Sequence, residues 1–283
     1  MTEKNNPDLF RPIDVPENLK PYVRRALVAD CRENVDMVID VRATGYHYLG
    51  WTWRGGWQGH VNGDTLFDSA IDGPLHMTGQ IAKADVAVKI QHDVGQVFLE
   101  FTALGHFQLL GITGVQLLMQ ARAPHVLNPA LGPYFDTLLD ADATSTKDRI
   151  TLLFNVLTQL PKHTIPAGIV SAVDRIEAAD GAIKISDLLM ELGLAERQFR
   201  SDFKSLTGLT PKAFCKTLQI NQALNQLLKN KGGDLAGIAA QAGFADQAHF
   251  TRAFGDFLGG TPGNYLADIE ITFVRFVGQS RQL

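Results

Sequence analysis

The chain has 283 residues, 45% apolar and 20% charged, with a formal net charge of −4 and two cysteines. That is enough apolar residue for two domains with cores of their own, and no low-complexity run interrupts them. No stretch approaches the roughly 18 apolar residues of a membrane span, and no basic start precedes an apolar segment, so neither a span nor a signal peptide is expected. Cys31 and Cys215 lie far apart, which suits two free thiols in a reducing cytoplasm. There is no G-x-S-x-G, paired metal motif or glycine-rich phosphate loop, so the reading is of a non-enzyme without a cofactor.

In chain order, short alternating segments come first, between about Val35 and Phe101. Candidate strands are Met37–Arg42, Tyr46–Trp53, His76–Ile81, Val86–His92 and Val97–Phe101, with turns at Asn62-Gly63-Asp64 and Asp72-Gly73-Pro74. Many short strands broken by Gly, Asn and Asp predict a small β-barrel or sandwich. Its densest aromatic patch is Tyr46, Tyr48, Trp51, Trp53 and Trp57, in which the odd-numbered tryptophans would share one strand face. Such a patch either lines a pocket for a small organic effector inside the barrel, or is ordinary core, or packs on a neighbouring helix. His47, His60, His76, His92, His106 and His125 are numerous, but none forms an H-x-H or H-x₃-H pair, so no metal site is expected.

From about Ile112 the pattern turns helical, and a helix is expected from about Ser145 to Leu160. Its apolar set (Ile150, Leu153, Phe154, Leu157, Leu160) exceeds one core face. It either pairs with its counterpart in a homodimer or packs on its own barrel. Pro161 and Pro166 bracket a linker, which divides the chain into a β-rich sensor and dimerisation domain (1–161), a linker (162–166), a helical domain (167–268) and a C-terminal extension (269–283). The stretch Ile269-Glu-Ile-Thr-Phe-Val-Arg-Phe-Val277 alternates like a strand and could tie the two domains together.

The helical domain holds a repeat. Phe199, Phe203, Gly208, Thr210, Pro211 and Phe214 recur, at constant offset, as Phe250, Phe254, Gly259, Thr261, Pro262 and Tyr265. Before each copy comes a short apolar helix ending in glycine, Gly193 or Gly243, with Ser186 and Asp234 as expected caps and Asp246 capping the second helix of the later copy. Helix, glycine turn and second amphipathic helix make a helix-turn-helix, whose second helix enters the DNA major groove. Between the copies, Thr210-Pro211 starts a helix that carries Phe214, Leu218, Leu224, Leu227 and Leu228 and runs to about Asn230, before Gly232-Gly233. Twenty or so residues span about 30 Å, close to the roughly 34 Å between successive major-groove faces.

These residues resemble a known group. Gly193-Leu-Ala-Glu-Arg-Gln-Phe-Arg-Ser-Asp-Phe-Lys204, Thr207-Gly-Leu-Thr-Pro211, Gly243-Phe-Ala-Asp-Gln-Ala-His-Phe-Thr-Arg-Ala-Phe254 and Gly260-Thr-Pro262 are similar to the DNA-binding domain of the AraC/XylS family of bacterial transcription regulators. The resemblance covers about Ile165 to Leu266. It implies seven helices, and the pattern supplies them near 168–179, 187–192, 196–206, 211–230, 235–242, 247–257 and just after Thr261. The sequence departs from the family at four kinds of position. Ser201 stands where arginine is usual, Gln219 and Gln222 replace two arginines, Leu189 replaces a small residue and Gly255 a basic one. Phe101-Thr-Ala-Leu-Gly-His-Phe-Gln-Leu-Leu-Gly111 with Leu19-Lys-Pro-Tyr-Val23 resembles the cupin-like N-terminal domain of one subgroup.

The expectation is therefore an α+β chain: a cupin-like β-barrel or sandwich with flanking helices, then an all-α domain of two helix-turn-helix motifs joined by a long helix. Arg197, Arg200 and Arg252 are the candidates for gripping guanine bidentately. Gln198, Gln247 and His249 are candidates for base or phosphate contact, Lys204, Lys212 and Lys216 for phosphate, and Ser201 and Thr251 share the outward faces. From Pro166 to Asp268, however, ten Lys and Arg meet eleven Asp and Glu. The domain lacks the basic excess that supplies most non-specific DNA affinity. Expected partners are double-stranded promoter DNA, a small-molecule effector, a second copy of the chain and, for an activator, RNA polymerase, with no membrane. The competing reading is a cupin-like small-molecule or metal-binding protein whose degenerate helical domain serves protein contacts.

Overall fold

Two long apolar-rich segments, Val23–Val41 and Val86–Phe101, pair antiparallel as β2 and β6 at the centre of a seven-stranded sheet. This computed structural model describes residues 9–41, 43–80, 86–140, 145–229, 234–258 and 260–264. The other strands are β1 (Phe10–Ile13), β3 (Tyr48–Val61), β4 (Asp64–Asp68), β5 (Leu75–Thr78) and β7 (Ala121–Arg122). Their order is β1-β2-β6-β3-β5-β7, with β4 paired to β3. Asn62 and Gly63 both take positive φ (51° and 89°), the requirement of the tight turn that folds β4 back on β3.

The expected strands Val86–His92 and Val97–Phe101 are one strand. The residues between them are absorbed by register shifts opposite Cys31–Val35 of β2 and Arg54 of β3, and His92 takes φ 66°. The expected Met37–Arg42 is the end of β2, whose earlier half is dense with charge (Arg24, Arg25, Asp30, Arg32, Glu33) and hides its alternation. Arg42 and Ile81 lie outside the described residues.

Short helices α1 (Ser69–Asp72), α2 (Gly105–Leu110) and α3 (Pro124–Leu127) lead to α4 (Gly132–Asp140) and α5 (Thr146–Gln159). The larger core of this unit joins sheet residues Leu49, Trp51, Val97, Leu99 and Phe101 to Phe135 and Leu138 of α4 and Leu153, Phe154, Val156 and Leu157 of α5. Of the two readings of α5, packing on its own sheet is the one observed, and Thr151, Asn155 and Thr158 make its outer face polar. A second cluster gathers Leu9, Ala29, Met37, Trp57, Phe67, Ile90 and Val94.

Among the described residues a carboxylate is buried in the sheet. The Glu100 carboxylate, 1% exposed, takes Arg24 Nη1 at 2.6 Å, Arg25 Nη2 at 2.7 Å and the Tyr48 hydroxyl at 2.5 Å, which ties β6 to β2 and β3. Burial alone would raise its pKa, but the two guanidinium groups outweigh burial and hold it below the ordinary carboxylate range.

The chain divides largely at Ile165–Pro166 into two compact units. The second is helical: α6 (Ala167–Ala178), α7 (Ile185–Leu192), α8 (Glu196–Thr207), α9 (Pro211–Lys229), α10 (Leu235–Gln241) and α11 (Gln247–Leu258), with a further helical turn at 262–264. The Gly232-Gly233 break, Gly259, Tyr265 and the 269–283 extension lie outside the described residues.

Candidate nucleic-acid interface

In the first motif, Gly193 adopts φ 63° and its N–H caps the carbonyls of α7, so the chain turns sharply into α8. Ser186 does not cap α7 as expected. The helix starts two residues earlier than expected, at Ile185, and Ser186 Oγ instead donates to Asp187 Oδ1 at 3.1 Å. Phe199, Phe203 and Leu206 form the buried face of α8, with the Phe199 and Phe203 rings 5.4 Å apart and Phe203 against Phe214 of α9 at 5.6 Å.

The second motif repeats this construction. Asp234 accepts from the Ala236 N–H (3.1 Å) to start α10, and Asp246 accepts from the His249 N–H (2.6 Å) to start α11. Gly243 takes φ 76°, and a Cβ there would lie 2.6 Å from the Ala182 Cβ. Gln219, one of the departures from the family, donates to the Gly243 carbonyl from α9 (3.4 Å). Phe250 and Phe254 are fully buried, while Leu258 takes the third core position and Phe257 is only half-buried.

The connecting helix α9 is 19 residues, about 28 Å long. Its first half packs on the first motif through Phe214, and its second half (Ile220, Ala223, Leu224, Leu227) on the second, alongside Ile238, Phe250 and Phe254. One rigid rod therefore carries both motifs. Leu189 is buried in α7 where a small residue was expected.

The structure places the candidate DNA-facing residues unequally. On α8, Arg197, Ser201 and Lys204 are exposed and share one face at helical spacing, and no hydrogen bond or ion pair ties their side chains to a described residue. Arg200 is exposed but pairs with Glu196 (Nη2–Oε1 2.6 Å), and Gln198 donates to Asp202 (2.7 Å). At the start of α9, Lys212 is exposed, whereas Lys216 lies half-buried with its ammonium 4.3 Å over the Phe244 ring. Burial, and then the neighbouring Lys212, lowers the Lys216 pKa. On α11, Gln247, His249 and Arg252 are exposed and Thr251 half-buried; the His249 ring stands edge-on to Phe244 at 5.5 Å.

In the N-terminal unit the five aromatic candidates do not come together. Bulges between Thr52 and Arg54 and between Arg54 and Gly56 break the two-residue alternation of β3. Trp51 (2% exposed) belongs to the main core, with Trp53 half-buried beside it at 5.6 Å, while Trp57 joins the second cluster and stacks on His76 at 4.1 Å. Tyr46 lies under the Arg24 guanidinium (4.2 Å) and Tyr48 serves Glu100. The one-face expectation is thus corrected. Residue spacing carries no sign of the stacked pair His47 and His106, fully buried with centroids 3.7 Å apart. Among the described residues no three His, Cys, Asp or Glu side chains converge as metal ligands, and no helix is long and apolar enough to cross a membrane.

Residues 188–268 match a family model described as a helix-turn-helix domain. The HTH-type transcriptional regulator ExsA of Pseudomonas aeruginosa is 35% identical over 79 residues, covering 28% of each chain. The virulence regulon transcriptional activator VirF of Yersinia enterocolitica is 33% identical over 79 residues, 28% of this chain and 29% of that protein. The chain thus spans less than a third of the length of the relatives it matches. A solved structure of ToxT from Vibrio cholerae, bound to (E)-4-(8-methylnaphthalen-1-yl)but-3-enoic acid, is 11% identical with a TM-score of 0.44, covering 86% of this chain and 97% of that one. The C-terminal segment of this chain carries a helix-turn-helix domain.

Proposed function

We propose that this chain, through its AraC-type domain, is a transcription regulator that lays α8 and α11 in neighbouring major grooves of double-stranded promoter DNA. The observation that carries this reading is the matched pair of glycine turns on one connecting helix, with unpaired Arg197 and Lys204 outward on α8 and Arg252 outward on α11. Arg197 and Arg252 are assigned to base edges, with Gln247 and His249 beside Arg252. Lys204 and Lys212 are assigned to phosphates. Arg200 must leave Glu196, and Lys216 must leave Phe244, before either meets DNA. The N-terminal unit is the sensor of a small-molecule effector, which acts by binding the DNA-competent arrangement more tightly than the other.

A second protomer supplies occupancy on DNA that a mildly acidic domain lacks alone, and it does not assemble through α5, whose apolar face is already used. RNA polymerase is a partner if the regulator activates. The even charge balance favours one alternative, a helical domain kept for protein contacts. Fluorescence anisotropy with DNA from upstream of the protein's own gene, against scrambled DNA and with Arg252→Ala, separates the two. Sequence-preferring, salt-sensitive binding that falls in the variant is the expected result. Equal, negligible binding to both DNAs, with or without candidate effectors, would leave the alternative.

A further inference from the structure

A cleft of about 600 Å³ opens in the N-terminal unit where β2 and β3 meet the first turn of α5. Its size falls within the range of small-molecule sites, but its lining is cationic: Arg32 of β2, Arg54 of β3, and Lys147 and Arg149 of α5, against the single carboxylate of Asp30.

These cations are not equivalent. Arg54 is paired with Asp30 and with Asp93 (Nε–Oδ2 2.9 Å) and donates to the Val94 carbonyl at 2.9 Å. Asp30 also accepts from the Thr146 hydroxyl at 2.5 Å, and its charge faces Arg32 as well as Arg54. That cross-link fixes the α5 N-terminus against the sheet. Arg32, Lys147 and Arg149, in contrast, make no side-chain hydrogen bond or ion pair with any described residue. Asp148, the remaining carboxylate of the turn, accepts from the Ser145 hydroxyl (2.6 Å) and does not line the cleft.

Two further features complete the site. Ser145 caps the Asp148 N–H (3.1 Å), so the first backbone N–H groups of α5 stay unused by the helix and carry its positive end. Trp53 supplies an aromatic wall, with the Arg149 guanidinium 5.7 Å from its ring. Three cations that make no ion pair among the described residues, with only the Asp30 carboxylate facing Arg32, stand beside a helix N-terminus; a phosphate has both the charge and the oxygens to meet two arginines.

We propose that this cleft binds a small molecule carrying a phosphate monoester, its phosphate held by Arg32, Lys147, Arg149 and the α5 N-terminus and its organic body against Trp53. The proposal gives a chemical class to the effector of the sensor reading above and rests on that reading for its regulatory meaning. Its binding test does not involve DNA, so the two stand or fall separately.

The test is isothermal titration calorimetry of the full-length protein with phenyl phosphate, with phenol and phenylacetate as the neutral and carboxylate counterparts. Phenyl phosphate is expected to bind, phenylacetate at least about tenfold more weakly, and phenol not at all. Arg32→Gln and Lys147→Gln, both at exposed positions, are each expected to weaken phenyl phosphate about tenfold, the loss of one charge-assisted contact, with an unchanged melting temperature. Absence of binding to phenyl phosphate at concentrations up to about 10 mM, which corresponds to less than about 3 kcal/mol of binding, would overturn the proposal. So would equal affinity for phenylacetate, or an affinity that neither variant changes.

Discussion

The salt dependence of DNA binding tests the proposed interface most sharply, because the structure sets how many charges are available. Six cations lie on or beside the recognition surfaces: Arg197, Arg200, Lys204, Lys212, Lys216 and Arg252. Two are engaged, Arg200 with Glu196 at 2.6 Å and Lys216 over Phe244. At roughly 0.9 counterions released per phosphate neutralised, four free cations give a log–log slope of about −3.6 per protomer, and all six about −5.4. Raising salt fourfold, from about 50 to 200 mM, should then weaken binding between about 150-fold and about 1,800-fold. Anisotropy titrations at four salt concentrations measure the slope directly. If Arg252 grips a guanine, Arg252→Ala costs about 1–3 kcal/mol on the cognate site, about 5- to 150-fold, and little on scrambled DNA. If it holds a phosphate, affinity falls on both DNAs and the slope drops by about 0.9. A slope shallower than about −1, or an Arg252→Ala variant indistinguishable from the parent on every DNA, would refute α8 and α11 as the contact surface.

The buried histidines make the fold acid-sensitive. Burial lowers the pKa of His76 and His106 to about 3, and burial followed by the neighbouring His106 drives His47 well below its usual value. The unfolded chain takes up these protons below about pH 6.5 while the folded chain does not, so stability is full above that value and falls as pH drops below it. Three such groups lose together up to about 4 kcal/mol per pH unit, and urea midpoints measured from pH 7 to 5 should fall steeply; a flat profile would count against neutral burial. Glu100→Gln strands Arg24 and Arg25 in the sheet and is expected to cost about 3–5 kcal/mol by chemical denaturation, with no change in the DNA salt slope. Gly243→Ala should destabilise the helical unit more than Gly193→Ala. Both positions have positive φ, worth about 1–2 kcal/mol for an L-residue, but only Gly243 also faces a neighbour, Ala182, at 2.6 Å. Equal losses would show that the close approach does not matter.

The helical unit was far more legible in the sequence than the sheet, for a physical reason. Each helix there carries its own start and stop: Asp234 and Asp246 as caps, Pro211 at a first position, Gly193 and Gly243 at left-handed turns, with phenylalanines at helical spacing between them. These signals are local, so one copy could be read without the other. The strands carry no comparable marks. β2 and β6 are long and shift register opposite one another, and a shift at Arg54 is invisible until the partner strand is known. The two register shifts around Arg54 separate Trp57 from Trp51 and undo an aromatic face that strict alternation had drawn. The cleft at α5 was equally hidden, because Arg32, Trp53 and Lys147 meet only through long-range pairing.

The two recognition helices share a design but not a charge. In register with the first copy, Arg197 of α8 becomes Ala248 on α11, Ser201 becomes Arg252 and Lys204 becomes Gly255. The first motif, with Lys212 just beyond it, therefore holds most of the unpaired positive charge, and the second holds one arginine flanked by Gln247 and His249. Phosphate attraction acts at a distance and orients the protein, whereas a lone arginine among neutral hydrogen-bonding groups contributes mainly at a matched base edge. On this division α8 sets how tightly the domain holds any DNA and α11 decides more of which DNA it holds. Because α9 packs on both motifs as one rod, neither helix can settle in its groove independently of the other. A domain with no net positive charge then gains its selectivity from the requirement that both fit at once.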